Sequence, residues 1–149
     1  MSLKVGSPAP KIQAKNQNGN VVNLSDFLGK KVILYFYPKD ATPGCTAQAC
    51  SLRDNYDALL AKGYVVLGVS VDDEKSHQKF IKKYDLPFDL LADTDQKIVN
   101  DYGVWAEKSM YGRTYMGIVR TTFVIDEKGI IEEIIQKVDT KNHAEQILG

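Results

Sequence analysis

Little is in excess in this sequence. Nineteen Lys and Arg balance nineteen Asp and Glu, so the 149 residues carry no formal net charge. A neutral chain whose longest basic run is a pair such as Lys82–Lys83 is poorly suited to bind nucleic acid or an anionic membrane surface. No stretch approaches the roughly 18 apolar residues of a membrane span. The first residues, Met1-Ser2-Leu3-Lys4-Val5-Gly6, have no apolar signal core. The expectation is a cytoplasmic protein that engages neither nucleic acid nor membrane. Only two cysteines are present. They are too few for a disulfide-rich secreted scaffold, and they lack the Cys-x-x-Cys spacing of dithiol exchange enzymes. Cys45, Cys50, His77 and His143 could supply four metal ligands on paper, but their spacing fits no zinc pattern. Neither a metal nor an organic cofactor is expected. Repeats, low-complexity tracts and linkers are lacking too.

What is there fits one domain spanning residues 1–149, long enough to bury a core without staples. Lys11–Lys15 and Val21–Leu24, flanking an Asn18-Gly19 turn, read as an N-terminal β-hairpin. Ser25–Gly29 reads as a short helical turn. Val32–Tyr37 and Tyr64–Val71 are continuous apolar runs, as in strands buried on both faces. Thr121–Ile125 and Ile130–Ile135, joined by Asp126-Glu127-Lys128-Gly129, read as an antiparallel pair. A short strand is expected near Phe88–Leu91. Helical spacing covers Thr46–Lys62, stopped by Gly63, then Glu74–Tyr84, Asp93–Tyr102 and Asn142–Leu148. Strand–helix–strand units imply parallel pairing, and the closing hairpin adds an antiparallel edge. The expected fold is α/β: a thioredoxin-like three-layer domain, with a mixed central sheet and helices on both faces.

The informative segment is Tyr37-Pro38-Lys39-Asp40-Ala41-Thr42-Pro43-Gly44-Cys45-Thr46-Ala47-Gln48-Ala49-Cys50. A buried strand ends at Pro38. Thr42 followed by Pro43 reads as an N-cap with Pro at the first helical position. Cys45 then falls in the first turn, where backbone N–H groups are unpaired and the helix dipole is positive. That setting favours a thiolate nucleophile. Cys50 alone reads equally well as a small buried apolar group. Along an intact helix the two Cα atoms would be roughly 8–9 Å apart, beyond the about 7 Å a disulfide tolerates. Any disulfide between them therefore requires the first turns to unwind.

These residues resemble the active-site segment of the peroxiredoxins, in their bacterioferritin comigratory protein or peroxiredoxin Q branch. The resemblance runs along nearly the whole chain. It includes Gly6-Ser7-Pro8-Ala9-Pro10, Gly68-Val69-Ser70, Lys108-Ser109-Met110-Tyr111-Gly112 and Arg120-Thr121-Thr122-Phe123-Val124-Ile125-Asp126. It implies a thiol peroxidase. Cys45 would be the peroxidatic cysteine, oxidised by hydrogen peroxide or an organic hydroperoxide to a sulfenic acid. Pro38 would shield the site, Thr42 would orient sulfur and peroxide, and Arg120 would complete the pocket. Cys50 would resolve the sulfenic acid as an intramolecular disulfide, recycled by thioredoxin or a similar dithiol. A monomer is expected. Gln48 departs from the Glu usual in the family, which weakens any charge network there.

Two other readings stand beside this one. A redox-responsive chaperone or binding module could be switched by Cys45–Cys50 oxidation, and general dithiol exchange is disfavoured by the missing Cys-x-x-Cys. His77 lies on the apolar face of its helix and reads as a packed side chain, not a base. His143 reads as solvated. Trp105 and Tyr111 fall in a stretch expected to be irregular, as core cap or pocket wall. Asp72-Asp73-Glu74 reads as helix capping.

Overall fold

A computed structural model describes residues 3–149. Strands β1 (Gln13–Lys15) and β2 (Val21–Asn23) form the N-terminal hairpin. Its loop is closed by the Asn16 side-chain oxygen, which accepts from the N–H groups of Asn18 and Asn20. A short 3-10 turn over Leu24–Phe27 leads to β3 (Lys31–Phe36). Helices α1 (Pro43–Asp54) and α2 (Tyr56–Ala61) follow, then β4 (Tyr64–Ser70), α3 (Glu74–Tyr84), β5 (Asp89–Ala92) and α4 (Lys97–Asp101). The chain continues through β6 (Trp105–Met110), β7 (Arg113–Ile118), β8 (Thr121–Ile125), β9 (Ile131–Ile135) and α5 (His143–Leu148).

Seven strands make one sheet in the order β2-β1-β5-β4-β3-β8-β9. β3, β4 and β5 run parallel, while β8 and β9 add the antiparallel edge. β3 shows why its sequence is apolar without alternation. Val32, Leu34 and Phe36 face one core with Ile98, Val99 and Tyr102 of the α4 segment. Ile33, Tyr35 and Tyr37 face the other, with Ala49 and Leu52 of α1, Leu59 of α2, Phe80 of α3 and Ile147 of α5. A central strand covered on both faces has no polar side to show. The expected α/β, thioredoxin-like architecture is the one observed.

Three local expectations need correction. The helical stretch expected up to Lys62 is two helices: it starts at Pro43, as the Thr42-Pro43 pair indicated, but breaks at Asn55 (φ −113°, ψ 15°). There the Asn55 side-chain amide donates to the Ser51 carbonyl, a local bond that competes with helix continuation. The helix expected over Asp93–Tyr102 contracts to Lys97–Asp101, because the Asp93 carboxylate accepts from the Ile98 and Val99 N–H groups and so caps it from upstream. The stretch expected to be irregular is a regular hairpin, β6–β7, in register from Trp105↔Ile118 to Met110↔Arg113. Its turn uses Tyr111 (φ 53°) and Gly112 (φ 77°), both in the left-handed region that a tight two-residue hairpin demands. A tyrosine where asparagine is usual hides that turn from sequence reading. Trp105 packs against the core, as expected, whereas Tyr111 is 97% exposed and neither caps the core nor walls a pocket.

Candidate active site

The loop after β3 and the first turn of α1 meet the strand start at β8. Thr42 is the N-cap residue of α1, in extended conformation (φ −82°, ψ 154°), and Pro43 occupies the first helical position. The Thr42 hydroxyl does not cap the helix; it donates to the Lys39 carbonyl oxygen at 2.8 Å. The first intrahelical bond is Thr46 N–H to Thr42 carbonyl oxygen, at 2.8 Å. Pro43 has no N–H, so the orphan donors that a helix start leaves are those of Thr42, Gly44 and Cys45.

Cys45 is buried, at 1% exposure, and its thiol is free. Arg120, half-buried just before β8, donates from Nη2 to Cys45 Sγ at 3.3 Å and from Nη1 to Gln48 Oε1 at 2.6 Å. One guanidinium thus spans two side chains a helical turn apart on α1, using the planar fork that lysine lacks. Gly44 permits this approach. A Cβ there would stand 3.2 Å from Arg120 Nη2, tighter than ordinary van der Waals contact. Gln48 is fully buried, and its Nε2 has no hydrogen-bond partner among the described residues. The sequence expectation of a weakened charge network at Gln48 takes this form: the amide oxygen binds Arg120 but leaves its positive charge uncompensated.

Lys108 of β6 lies within electrostatic reach of Arg120 and Cys45. Burial pushes its ammonium below the usual lysine range, Arg120 adds to this, and Cys45 opposes it. The sequence signal for Lys108 was only its place in the Lys108–Gly112 segment. Tyr35 of β3 lies on the same side of the sheet as Cys45. Burial first, then the Asp40 and Cys45 charges, hold its phenol well above the ordinary tyrosine range, and its hydroxyl is buried without a partner among the described residues. Tyr35 and Tyr37 stack, with ring centroids 5.4 Å apart. Pro38, half-buried, leaves β3 immediately after Tyr37.

Cys50 is half-buried, with a free thiol, in the middle of α1. With that helix intact, its Cα stands roughly 8–9 Å from that of Cys45. The structure therefore brings Cys45, Arg120 and Gln48 into contact, sets Thr42 at the same helix start, and keeps Cys50 apart. Both histidines are engaged elsewhere. His77 is packed, as expected, but pairs with Asp40, which sequence reading did not single out. His143 is fully buried, contrary to the expectation of a solvated side chain. It pairs through Nε2 with the Thr122 hydroxyl at 2.8 Å and through Nδ1 with Gln146 Oε1 at 2.9 Å. Burial holds its imidazole below the usual histidine range, chiefly by desolvation.

The AhpC/TSA family matches residues 5–134. Peroxiredoxin Bcp of Escherichia coli is 48% identical over 146 residues, covering 98% of this chain and 94% of its own. Peroxiredoxin Bcp of Bacillus subtilis is 43% identical over 148 residues, covering 99% and 94%. Among solved structures, a PrxQ cysteine-to-serine mutant of Xylella fastidiosa superposes with a TM-score of 0.93 at 31% identity, covering 99% of this chain and 94% of that one. The bacterioferritin comigratory protein of Xanthomonas campestris, studied for its alkyl peroxide reduction activity, gives 0.86 at 33% identity, covering 92% and 87%. With a buried thiol at a helix start under an arginine, and with these likenesses along the chain, the protein belongs to the AhpC/TSA family, in its Bcp/PrxQ branch, and is a thiol peroxidase.

Proposed function

We propose that Cys45 is the peroxidatic cysteine, that Cys50 resolves it, and that Arg120, Thr42 and Pro38 complete the site. The observation that carries this is Cys45 Sγ held 3.3 Å from Arg120 Nη2 in the first turn of α1. A thiolate there is stabilised by the guanidinium and by the dipole of the helix start. The thiolate attacks one oxygen of a hydroperoxide, the O–O bond breaks, and the departing oxygen leaves as an alkoxide or hydroxide that takes up a proton. Sulfur is oxidised to the sulfenic acid, the first step of its oxidation ladder. Arg120 and the free first-turn N–H groups stabilise negative charge where it develops. The Thr42 hydroxyl, already donating to Lys39, has its oxygen lone pairs free to accept from the peroxide.

Cys50 then attacks the Cys45 sulfur, an S–S bond forms, and water leaves. The helix separation of the two cysteines requires α1 to open before this step. A dithiol reductant of the thioredoxin type takes the disulfide back to two thiols and becomes oxidised itself. Hydrogen peroxide and alkyl hydroperoxides are both substrates in this reading.

Substitution tests the assignment. Cys45→Ser should end peroxide consumption. Cys50→Ser should permit the first oxidation and block dithiol-linked turnover. Peroxide consumption at the wild-type rate by Cys45→Ser overturns the reading.

A further inference from the structure

Asp40 sits in the loop between β3 and α1 and is buried, at 6% exposure. Its carboxylate receives three bonds. The Tyr37 phenol donates at 2.6 Å to one oxygen; the Ser76 hydroxyl at 2.8 Å and His77 Nδ1 at 2.6 Å meet the other. The Asp40 backbone N–H donates to an Asp72 carboxylate oxygen at 2.8 Å, and that same oxygen accepts from the Ser70 hydroxyl. His77 is fully buried, and its second nitrogen, Nε2, faces the Leu91 carbonyl oxygen at 3.0 Å. Both ring nitrogens therefore face oxygen acceptors. The ring is thereby held at both ends, between the Asp40 carboxyl group and the Leu91 carbonyl.

Such a buried polar pair adds little net stability, because the water each group gives up offsets most of what the two gain from each other. What it does supply is placement. Through Asp40 the loop is tied to the end of β4, to α3 and, by way of His77, to β5. The next residue, Ala41, holds φ at 63°, a left-handed conformation that costs a non-glycine residue energy. Strain of this kind persists where the surroundings over-determine the backbone. Ala41 is followed directly by Thr42, the N-cap of the helix that carries Cys45.

We infer that the buried Asp40–His77 pair is a positioning device for the peroxide step, locking the Lys39–Thr42 loop so that the Thr42 hydroxyl and the first turn of α1 stand in register with the Cys45 sulfur. The inference rests on Cys45 being the attacking sulfur. Asp40 and His77 touch neither sulfur nor Arg120 and act only through the loop. Attack on an O–O bond depends on alignment, and a misplacement of about 1 Å in such a step can cost on the order of a hundredfold. The pair therefore governs the rate of Cys45 oxidation more than it governs folding.

The test compares reduced wild-type protein with His77→Gln, Asp40→Asn and Ser76→Ala. Each is checked for folding by circular dichroism and by urea midpoint. The rate constant of Cys45 oxidation by hydrogen peroxide is measured by stopped flow on Trp105 fluorescence, or by competition with a haem peroxidase. His77→Gln and Asp40→Asn should slow that step by about tenfold or more, and Ser76→Ala, which removes one bond and keeps the pair, by about two- to threefold. The subsequent closure to the disulfide should keep its wild-type rate. Folded variants with lowered urea midpoints but wild-type oxidation rates overturn the inference and leave the pair purely structural. If the first two variants do not fold, Ser76→Ala decides: a wild-type oxidation rate there overturns the inference. Failure of wild-type Cys45 itself to react with peroxide would instead overturn the underlying assignment.

Discussion

Arg120 and Cys45 lie 75 residues apart in the chain, yet Arg120 Nη2 donates to the Cys45 sulfur at 3.3 Å. The contact exists because β8 pairs beside β3, the strand that feeds α1, so the residue before β8 arrives at the helix start. Arg120→Lys keeps the charge and loses the fork that holds Gln48 and faces sulfur together. It should lower the rate of peroxide reduction by on the order of a hundredfold, as removal of a transition-state donor does. Steady-state peroxide consumption at saturating reductant, with the fold checked by circular dichroism, measures this.

Gln48 gives Arg120 a neutral partner. Its neutral amide accepts from Arg120 at 2.6 Å without cancelling the guanidinium charge. Gln48→Glu would place a carboxylate there and turn much of Arg120's field away from sulfur. Alkylation of Cys45 by iodoacetamide at neutral pH should slow severalfold in Gln48→Glu, while the protein stays folded. An unchanged alkylation rate would mean that Arg120 acts on Cys45 by position alone.

His143 sets a pH dependence of stability. Its folded-state pKa lies below the unfolded value, because burial disfavours the cation. The unfolded chain therefore binds the proton more readily, and stability falls as pH drops below about 6.5, the unfolded value, toward the lower folded one. Urea midpoints at pH 7.5 and 5.5 should show a loss in the wild type that is smaller in His143→Gln. The measurement is a difference of differences, so carboxylates common to both proteins cancel.

Gly68 leaves room for Tyr35 beneath the active-site helix. A Cβ on Gly68 would stand 2.6 Å from Leu90 Cδ2 and 2.8 Å from Tyr35 Cζ. Neither ring nor leucine can withdraw from a close-packed interior without disturbing its neighbours. Gly68→Ala should cost about 1–3 kcal/mol in unfolding free energy, read from a chemical denaturation curve. It should also slow Cys45 oxidation if the Tyr35 ring shifts α1.

The main lines of the fold were legible because they follow from local rules. Continuous apolar runs marked β3 and β4, and the Thr42-Pro43 pair marked the start of α1. Cys45 was legible for the same reason: its position in the first turn is a matter of counting from Pro43. Arg120 was not legible from physics, since nothing local separates a strand-flanking surface arginine from one that reaches back to a helix. Only the resemblance singled it out. The Asp40–His77 pair was hidden by the opposite problem. Each residue has an ordinary local explanation, and their meeting depends on α3 packing over the loop after β3. The hairpin β6–β7 was missed because its residues are mostly polar or exposed and its turn begins with tyrosine. His143 was misread because six residues of C-terminal helix give little periodicity, while its burial comes from tertiary packing of α5 against α1, where the Ala144 N–H donates to the Ser51 hydroxyl.

The central claim is that Cys45 and Cys50 form one catalytic pair across a helix that opens. Intact-mass analysis of the reduced protein after one equivalent of hydrogen peroxide tests it most directly. A loss of two hydrogens is expected, with peptide mapping placing the link between Cys45 and Cys50. A product that gains oxygen as a stable sulfenic or sulfinic acid on Cys45, with no link to Cys50, would contradict it.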